Sequence, residues 1–123
     1  MNESLDREQR IRKRKAFQTL FKKGRFAKGE FLRIWVCEDP EELKNPAAKP
    51  QMGVIVSRKT DLLAVKRNLW KRRIREAFRR NQAKIKTNTA VLIQASKSPA
   101  RMPTYLMIQT ELLDLLEKTG FLR

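Results

Sequence analysis

The sequence predicts a single α+β domain. Three observations carry this expectation. A chain of 123 residues with 41% hydrophobic content can fill one modest core but not two. Three short stretches, residues 31–37, 52–57 and 89–95, are apolar or alternate with the two-residue period of strands. Between and around them, residues 15–23, 63–80 and 105–118 space their apolar side chains like helices.

Residues 1–10 are polar and charged and are expected to be flexible, with 11–123 forming the domain. A basic run, Arg10, Arg12, Lys13, Arg14 and Lys15, leads into the first helix. There Phe17, Leu20 and Phe21 recur at helical spacing, with Gly24 as a stop. By pattern alone these three read as a core face.

In 31–37, Leu32, Ile34 and Val36 form one face, the obvious core face. Phe31, Arg33 and Trp35 form the other, and an Arg between two aromatics reads as a nucleic-acid-binding surface. Trp35 taken alone reads equally as core or as ligand contact. Residues 38–51 hold three of the five prolines and the acids Glu38, Asp39, Glu41 and Glu42. They read as a loop directed away from any polyanion.

The run 52–57 is apolar almost throughout, as a central strand would be. The long helix follows, then a polar exit loop over 81–88 and the strand 89–95. Strand, helix, strand suggests a parallel pair joined by a crossover, a connection that is right-handed in about 98% of cases. A loop with Lys97 and Arg101 leads to Thr104, a plausible N-cap for the last helix. Tyr105, Ile108, Leu112, Leu115 and Leu116 form its apolar stripe, and Gly120 is its stop. Glu111, Asp114 and Glu117 make its other side acidic, so this helix reads as packing.

Charge narrows the function. The chain carries +16 with a pI near 10.8, which implies a polyanionic partner. No apolar run is long enough to span a bilayer. The charged N-terminus lacks the apolar segment of a secretory signal, so the cytoplasm is the expected compartment. There is no histidine, which removes the commonest general base and metal ligand. No metal cluster, phosphate-binding Gly loop or nucleophile motif is present, so no residue is assigned as catalytic or as a metal ligand. Cys37, the only cysteine, reads as a small buried hydrophobe.

The charge is concentrated in residues 57–80, SRKTDLLAVKRNLWKRRIREAFRR, with ten Lys or Arg against Asp61 and Glu76, a net +8. Trp70, Ile74, Ala77 and Phe78 fall on one side of the helix. Asn68, Lys71, Arg72, Arg75 and Arg79 fall on another. One face can therefore pack on a core while the other presents guanidinium forks, whose donors match two phosphate oxygens at once. Like charges one turn apart repel, and a polyanion would offset that repulsion.

The segment AVKRNLWKRRIREAFR, residues 64–79, resembles the signature helix of the protein subunit of bacterial ribonuclease P. Ser57-Arg58-Lys59 stands for the family's strand end and Arg67-Asn68-Leu69 for its Arg-Asn-Arg triplet. Lys71-Arg72 and Arg75-Glu76-Ala77-Phe78-Arg79 follow in register. Leu69 departs from the triplet's second Arg, and Arg73 stands where the family often has an apolar residue. Leu69 inherits no RNA role, and Arg73 is a candidate to replace part of a lost contact.

The resemblance implies an αβββαβα sandwich with a left-handed βαβ crossover, ribosomal-protein-S5-domain-2-like, against the general right-handed rule. It also requires one more strand, shortly before Phe31 or within 38–51. It implies that the protein binds ribonuclease P RNA and precursor tRNA and assists removal of the 5′ leader, with Mg²⁺ bound mainly by the RNA, which carries the chemistry. Arg67, Asn68, Lys71, Arg72, Arg75 and Arg79 would contact the catalytic RNA. Phe17, Phe21, Arg33, Trp35, Arg58 and Lys59 would line a cleft for the leader. The alternatives are a ribosomal or other structural RNA-binding protein and, less in keeping with so Arg-dense a row, a DNA-binding protein using the helix in a major groove. No membrane and no DNA partner are expected.

Overall fold

The structure, a computed structural model, describes residues 5, 9–38, 40, 48–96 and 102–123. The elements run α1 (Arg14–Lys23), β1 (Arg25–Lys28), β2 (Leu32–Glu38), β3 (Gln51–Ile55), α2 (Ala64–Asn81), β4 (Thr89–Ala95) and α3 (Tyr105–Thr119), with a 3-10 turn at Gln82–Lys84. The fold class is the expected one. The acids Asp39, Glu41 and Glu42, and Lys97 and Arg101, lie outside the described residues.

The four strands form one mixed sheet in the order β1-β2-β4-β3. β1 and β4 flank β2 antiparallel, and β3 lies parallel to β4. The strand missing from the sequence reading is β1, just before Phe31. Its four residues, RFAK, have no apolar alternation, and three of them are exposed. Pairing with β2 makes it a strand.

β3 lies at the sheet edge, not at its centre as its apolar run predicts. The run is apolar because helices cover both faces of the sheet. The open edge is partly closed by the N-terminal segment: Arg10 bridges Met52, and the Ile11 N–H donates to Met52 O at 2.8 Å. Gln9 is buried, its amide donating to Pro50 O and to Gln82 Oε1, both at 2.9 Å. Gln9 and Arg10 therefore pack against the domain just ahead of its expected start at residue 11. Residues 1–4 and 6–8 lie outside the described residues.

The sheet separates two apolar layers. On one face Leu32, Ile34, Val36, Met52, Val91 and Ile93 pack against Trp70, Ile74 and Phe78 of α2 and Ile108, Leu112, Leu115 and Leu116 of α3. On the other, a smaller cluster of Ile11, Ala16, Leu20, Ala90 and Leu92 seats α1. Phe31 precedes β2 and is buried in the larger cluster, so it does not share an exposed face with Arg33 and Trp35. Cys37 is only half-buried, beside the α1 cluster, because its odd register turns it away from the main core.

The ends of α3 follow from its sequence. Thr104 Oγ1 accepts from the Met107 N–H at 3.2 Å. Gly120 closes the helix at φ 82°, a left-handed conformation that glycine adopts at little cost.

Candidate nucleic-acid interface

α2 buries Trp70, Ile74, Ala77, Phe78 and Asn81. That fixes its rotation and leaves Asn68, Arg72 and Arg75 exposed, with Arg79 half-buried among them and Lys71 half-buried at the margin of the same face. The helix has no Gly or Pro inside it, so the cations stand on a rigid rod. Glu76 binds Arg79 through both guanidinium nitrogens of a fork, and Arg80 through Nε at 2.9 Å. These hydrogen bonds, first that of Arg79, hold the Glu76 carboxyl below its usual range.

Arg67 Nη1 donates to Asp61 O at 3.0 Å and to Leu62 O at 2.8 Å, so part of this guanidinium anchors the turn before the helix. Arg73 donates to Pro103 O at 2.6 Å on the α3 side. It ties α2 to the start of α3. Arg80 lies over the Tyr105 ring at 5.3 Å on that same side.

The N-terminal segment adds to the row. Arg10, Arg72, Arg75, Glu76 and Arg79 line a recess of about 540 Å³. Partial loss of hydration where Arg75 meets this recess lowers its pKa, and the nearby Arg10 and Arg12 lower it further. An Arg so far above neutrality stays charged, and Glu76 is the one acid among the described residues that line this recess. Arg10 and Arg12 were not among the sequence-derived contacts. The basic run that contains them was visible, but its pairing with β3 was not.

On the other face of the sheet, α1 leaves a cleft. Phe21 of α1 meets Trp35 of β2 edge-on, with centroids 4.7 Å apart. Phe26 of β1 completes a trio, its ring centroid 5.2 Å from that of Trp35. Phe21 is 43% exposed and Phe26 50%, so the trio is an open platform and not a core. Phe17 is half-buried above Gly53, where an added Cβ would come within 2.7 Å of its ring. Glycine at 53 thus lets the ring lie on the strand. Along the same face Arg33 leads to a recess of about 550 Å³ shared with Ser57, Lys59, Thr60 and Gln94. Arg33 Nε is buried without a hydrogen-bond partner among the described residues. Lys59, which lines the recess, and its sequence neighbour Arg58 are exposed in the turn after β3.

The structure therefore brings Phe21, Trp35 and Arg33 together, with Lys59 beyond Arg33, and places Phe17 next to them over β3. Sequence reasoning missed Phe26, because its strand was invisible. Among the described residues no three His, Cys, Asp or Glu side chains gather to hold a metal ion. No helix among them is long and apolar enough to cross a membrane. What the arrangement offers is cations on one element and aromatic faces on another, a combination suited to phosphates and unpaired bases.

The model of the family described as Ribonuclease P matches residues 5–120. The chain belongs to the ribonuclease P protein family. It is 35% identical to the ribonuclease P protein component of Picosynechococcus sp. over 91% of this chain and 90% of that one. With the component from Clostridium botulinum it shares 30% over 93% and 96%. Among solved structures it is similar to the ribonuclease P protein of Staphylococcus aureus, with TM-score 0.77, 30% identity, and coverage of 94% of this chain and 98% of that one. It is also similar to that of Thermotoga maritima, with TM-score 0.73, 27% identity, and coverage of 89% and 96%. As a ribonuclease P protein it is part of an endoribonuclease that acts in tRNA processing, and its RNA partner is ribonuclease P RNA.

Proposed function

We propose that the chain works as a two-sided clamp between ribonuclease P RNA and the 5′ leader of precursor tRNA. The observation that carries this reading is the separation of two surfaces. A row of guanidinium groups lies on α2, outside one face of the sheet, and an exposed aromatic trio with Arg33 lies on the other face. Arg67, Asn68, Lys71, Arg72, Arg75 and Arg79, joined by Arg10 and Arg12, hold phosphates of the folded RNA. Phe17, Phe21, Phe26 and Trp35 stack unpaired leader bases, and Arg33, Arg58 and Lys59 meet the leader's phosphates. Stacking on aromatic faces tolerates any sequence, at about 1–3 kcal/mol per base, which suits leaders that differ between transcripts.

Among the described residues no three His, Cys, Asp or Glu side chains gather into a site for metal-assisted chemistry. The polypeptide's contribution is positional and electrostatic: it brings two polyanions together and neutralises their repulsion. Mg²⁺ is bound mainly by the RNA in this reading. The cation-rich surfaces, with no acidic cluster among the described residues, do not fit a divalent ion. The expected compartment remains the cytoplasm, where tRNA precursors would meet the enzyme.

The test is reconstitution. Protein is mixed with a bacterial ribonuclease P RNA at low Mg²⁺, and cleavage of precursor tRNA is followed with leaders of different lengths. Protein-dependent cleavage at the mature 5′ end, stronger for substrates with several leader nucleotides, is expected. Tight RNA binding without any stimulation would instead favour a purely structural RNA-binding protein.

A further inference from the structure

Three large apolar side chains stand in solvent at the head of α2. Leu62 is 82% exposed, Leu63 57% and Val65 80%. A single exposed Leu needs no explanation, but three within four residues concentrate apolar surface at one end of the helix, and exposed apolar surface so concentrated marks a contact surface.

The patch is held in place from several sides. Arg67 Nη1 grips the carbonyls of Asp61 and Leu62 from within the helix. Asp61 Oδ1 accepts from the Leu63 N–H at 3.1 Å. Thr60, just before it, is buried, donating its N–H to Ser57 O at 3.0 Å and its hydroxyl to Ala95 O at 3.1 Å. Apolar side chains on a fixed turn are preorganised, so a partner need not order them on binding.

Position and charge indicate the partner. Val65, Asn68, Arg72, Arg75 and Arg79 follow one another at steps of three and four, so they lie in one row along α2. The apolar patch is the head of the cationic row. Leu69, one turn after Val65 and half-buried, continues its apolar flank. Arg58, Lys59, Lys66 and Arg67 surround the patch in sequence, and its one acid, Asp61, is occupied in the turn. A second copy of this +16 chain would set cations against cations here. An RNA offers phosphates for the row and, wherever a nucleotide is unpaired, an apolar base face for the patch.

We infer that Leu62, Leu63 and Val65 form an apolar tip that packs against an unpaired base of the folded RNA whose phosphates lie along α2. This rests on the reading of α2 as the face for ribonuclease P RNA. The tip is distinct from the leader platform, which lies on the opposite face of the sheet.

The experiment compares the parent, a Leu62→Ser/Leu63→Ser double variant and a Val65→Ser variant. Because these side chains are exposed, the variants are expected to keep the parent's melting temperature. Affinity for ribonuclease P RNA is measured over a range of salt, and the RNA is probed with base-specific reagents. The tip predicts a loss of affinity of about tenfold, on the scale of one base contact. The dependence of log affinity on log salt stays unchanged, because no cation has been removed. One or two bases should lose protection in the variants. Folded variants that bind and protect like the parent would overturn the assignment. So would sedimentation showing that the parent self-associates and the variants do not, which would make a second copy the occupant. A parent that does not bind this RNA overturns the reading of α2 itself, before any variant is compared.

Discussion

Glu111 of α3 holds the first residue of β2: its Oε2 accepts from the Leu32 N–H at 2.6 Å. The same carboxylate accepts from the Phe31 N–H at 2.8 Å and the Glu30 N–H at 2.6 Å. The side chain also lies where a Cβ on Gly29 would stand. An acid that the sequence presents as part of the helix's acidic side is thus the clasp between α3 and the turn that launches β2. Glu111→Ala should cost about 2–4 kcal/mol, since three amides lose a charged acceptor and two of them are partly buried. Urea unfolding measures this. RNA affinity of the folded fraction should be unchanged, and a wild-type unfolding midpoint would remove the clasp.

Phe26 is the residue on which the leader platform can be tested with least damage to the fold. It is half-exposed, and its partner Trp35 also packs edge-on against Phe21. Phe26→Ala should weaken binding of leader-bearing precursor tRNA to the holoenzyme by about 1–3 kcal/mol if one base is lost from the stack. Binding of mature tRNA should be untouched. Equal weakening of both would place Phe26 outside the leader path. Phe17→Ala is the harsher companion: Phe17 covers Gly53, and its loss would be felt in thermal stability as well as in leader affinity.

The sequence shows most where structure is set locally. Thr104 and Gly120 delimit α3 because a cap and a left-handed turn need particular residues. The faces of α2 and β2 follow from period alone, so Trp70, Ile74, Leu32 and Ile34 are core as read. What was hidden depends on chain segments far apart in sequence. β1 exists through its partner, as Phe26 opposite Trp35 shows. β3 reads as central because both its faces are covered, while its edge is closed by Arg10 and Ile11, some forty residues earlier in the chain. Arg73 and Arg67 look like any other cations of the basic segment, and only tertiary geometry reveals the carbonyls they hold.

Glu76 gives α2 a pH dependence of known sign. Its carboxyl lies below the usual range, first because Arg79 donates to it, so the folded state binds its proton less readily than the unfolded state. Its contribution is therefore complete above the ordinary carboxylate pKa and disappears as the pH falls through the lowered folded value. The effect is a fraction of a kcal/mol, because the ion pairs are substantially exposed. Melting temperatures of the parent and Glu76→Gln should differ slightly at neutral pH and converge in acid. A difference that persists in acid would assign Glu76 a packing role instead of an ionic one.

Arg72 and Arg75 decide whether α2 is the face for the RNA. Both are exposed on a helix whose opposite side is fully committed to the core, so neither substitution opens a cavity. Arg75 also lies close enough to Arg10 and Arg12 for the three charges to act on one stretch of phosphates. Each lost phosphate contact should reduce the slope of log affinity against log salt by about 0.7–0.9. The Arg72→Ala/Arg75→Ala double variant should therefore bind more weakly at low salt and lose about 1.5 units of slope, approaching the parent's affinity as salt rises. Removing Arg10 as well should flatten the line further, although Arg10 is distant in sequence. A double variant with the parent's slope would mean that the RNA does not lie along this row, and the α2 face would lose its place in the complex.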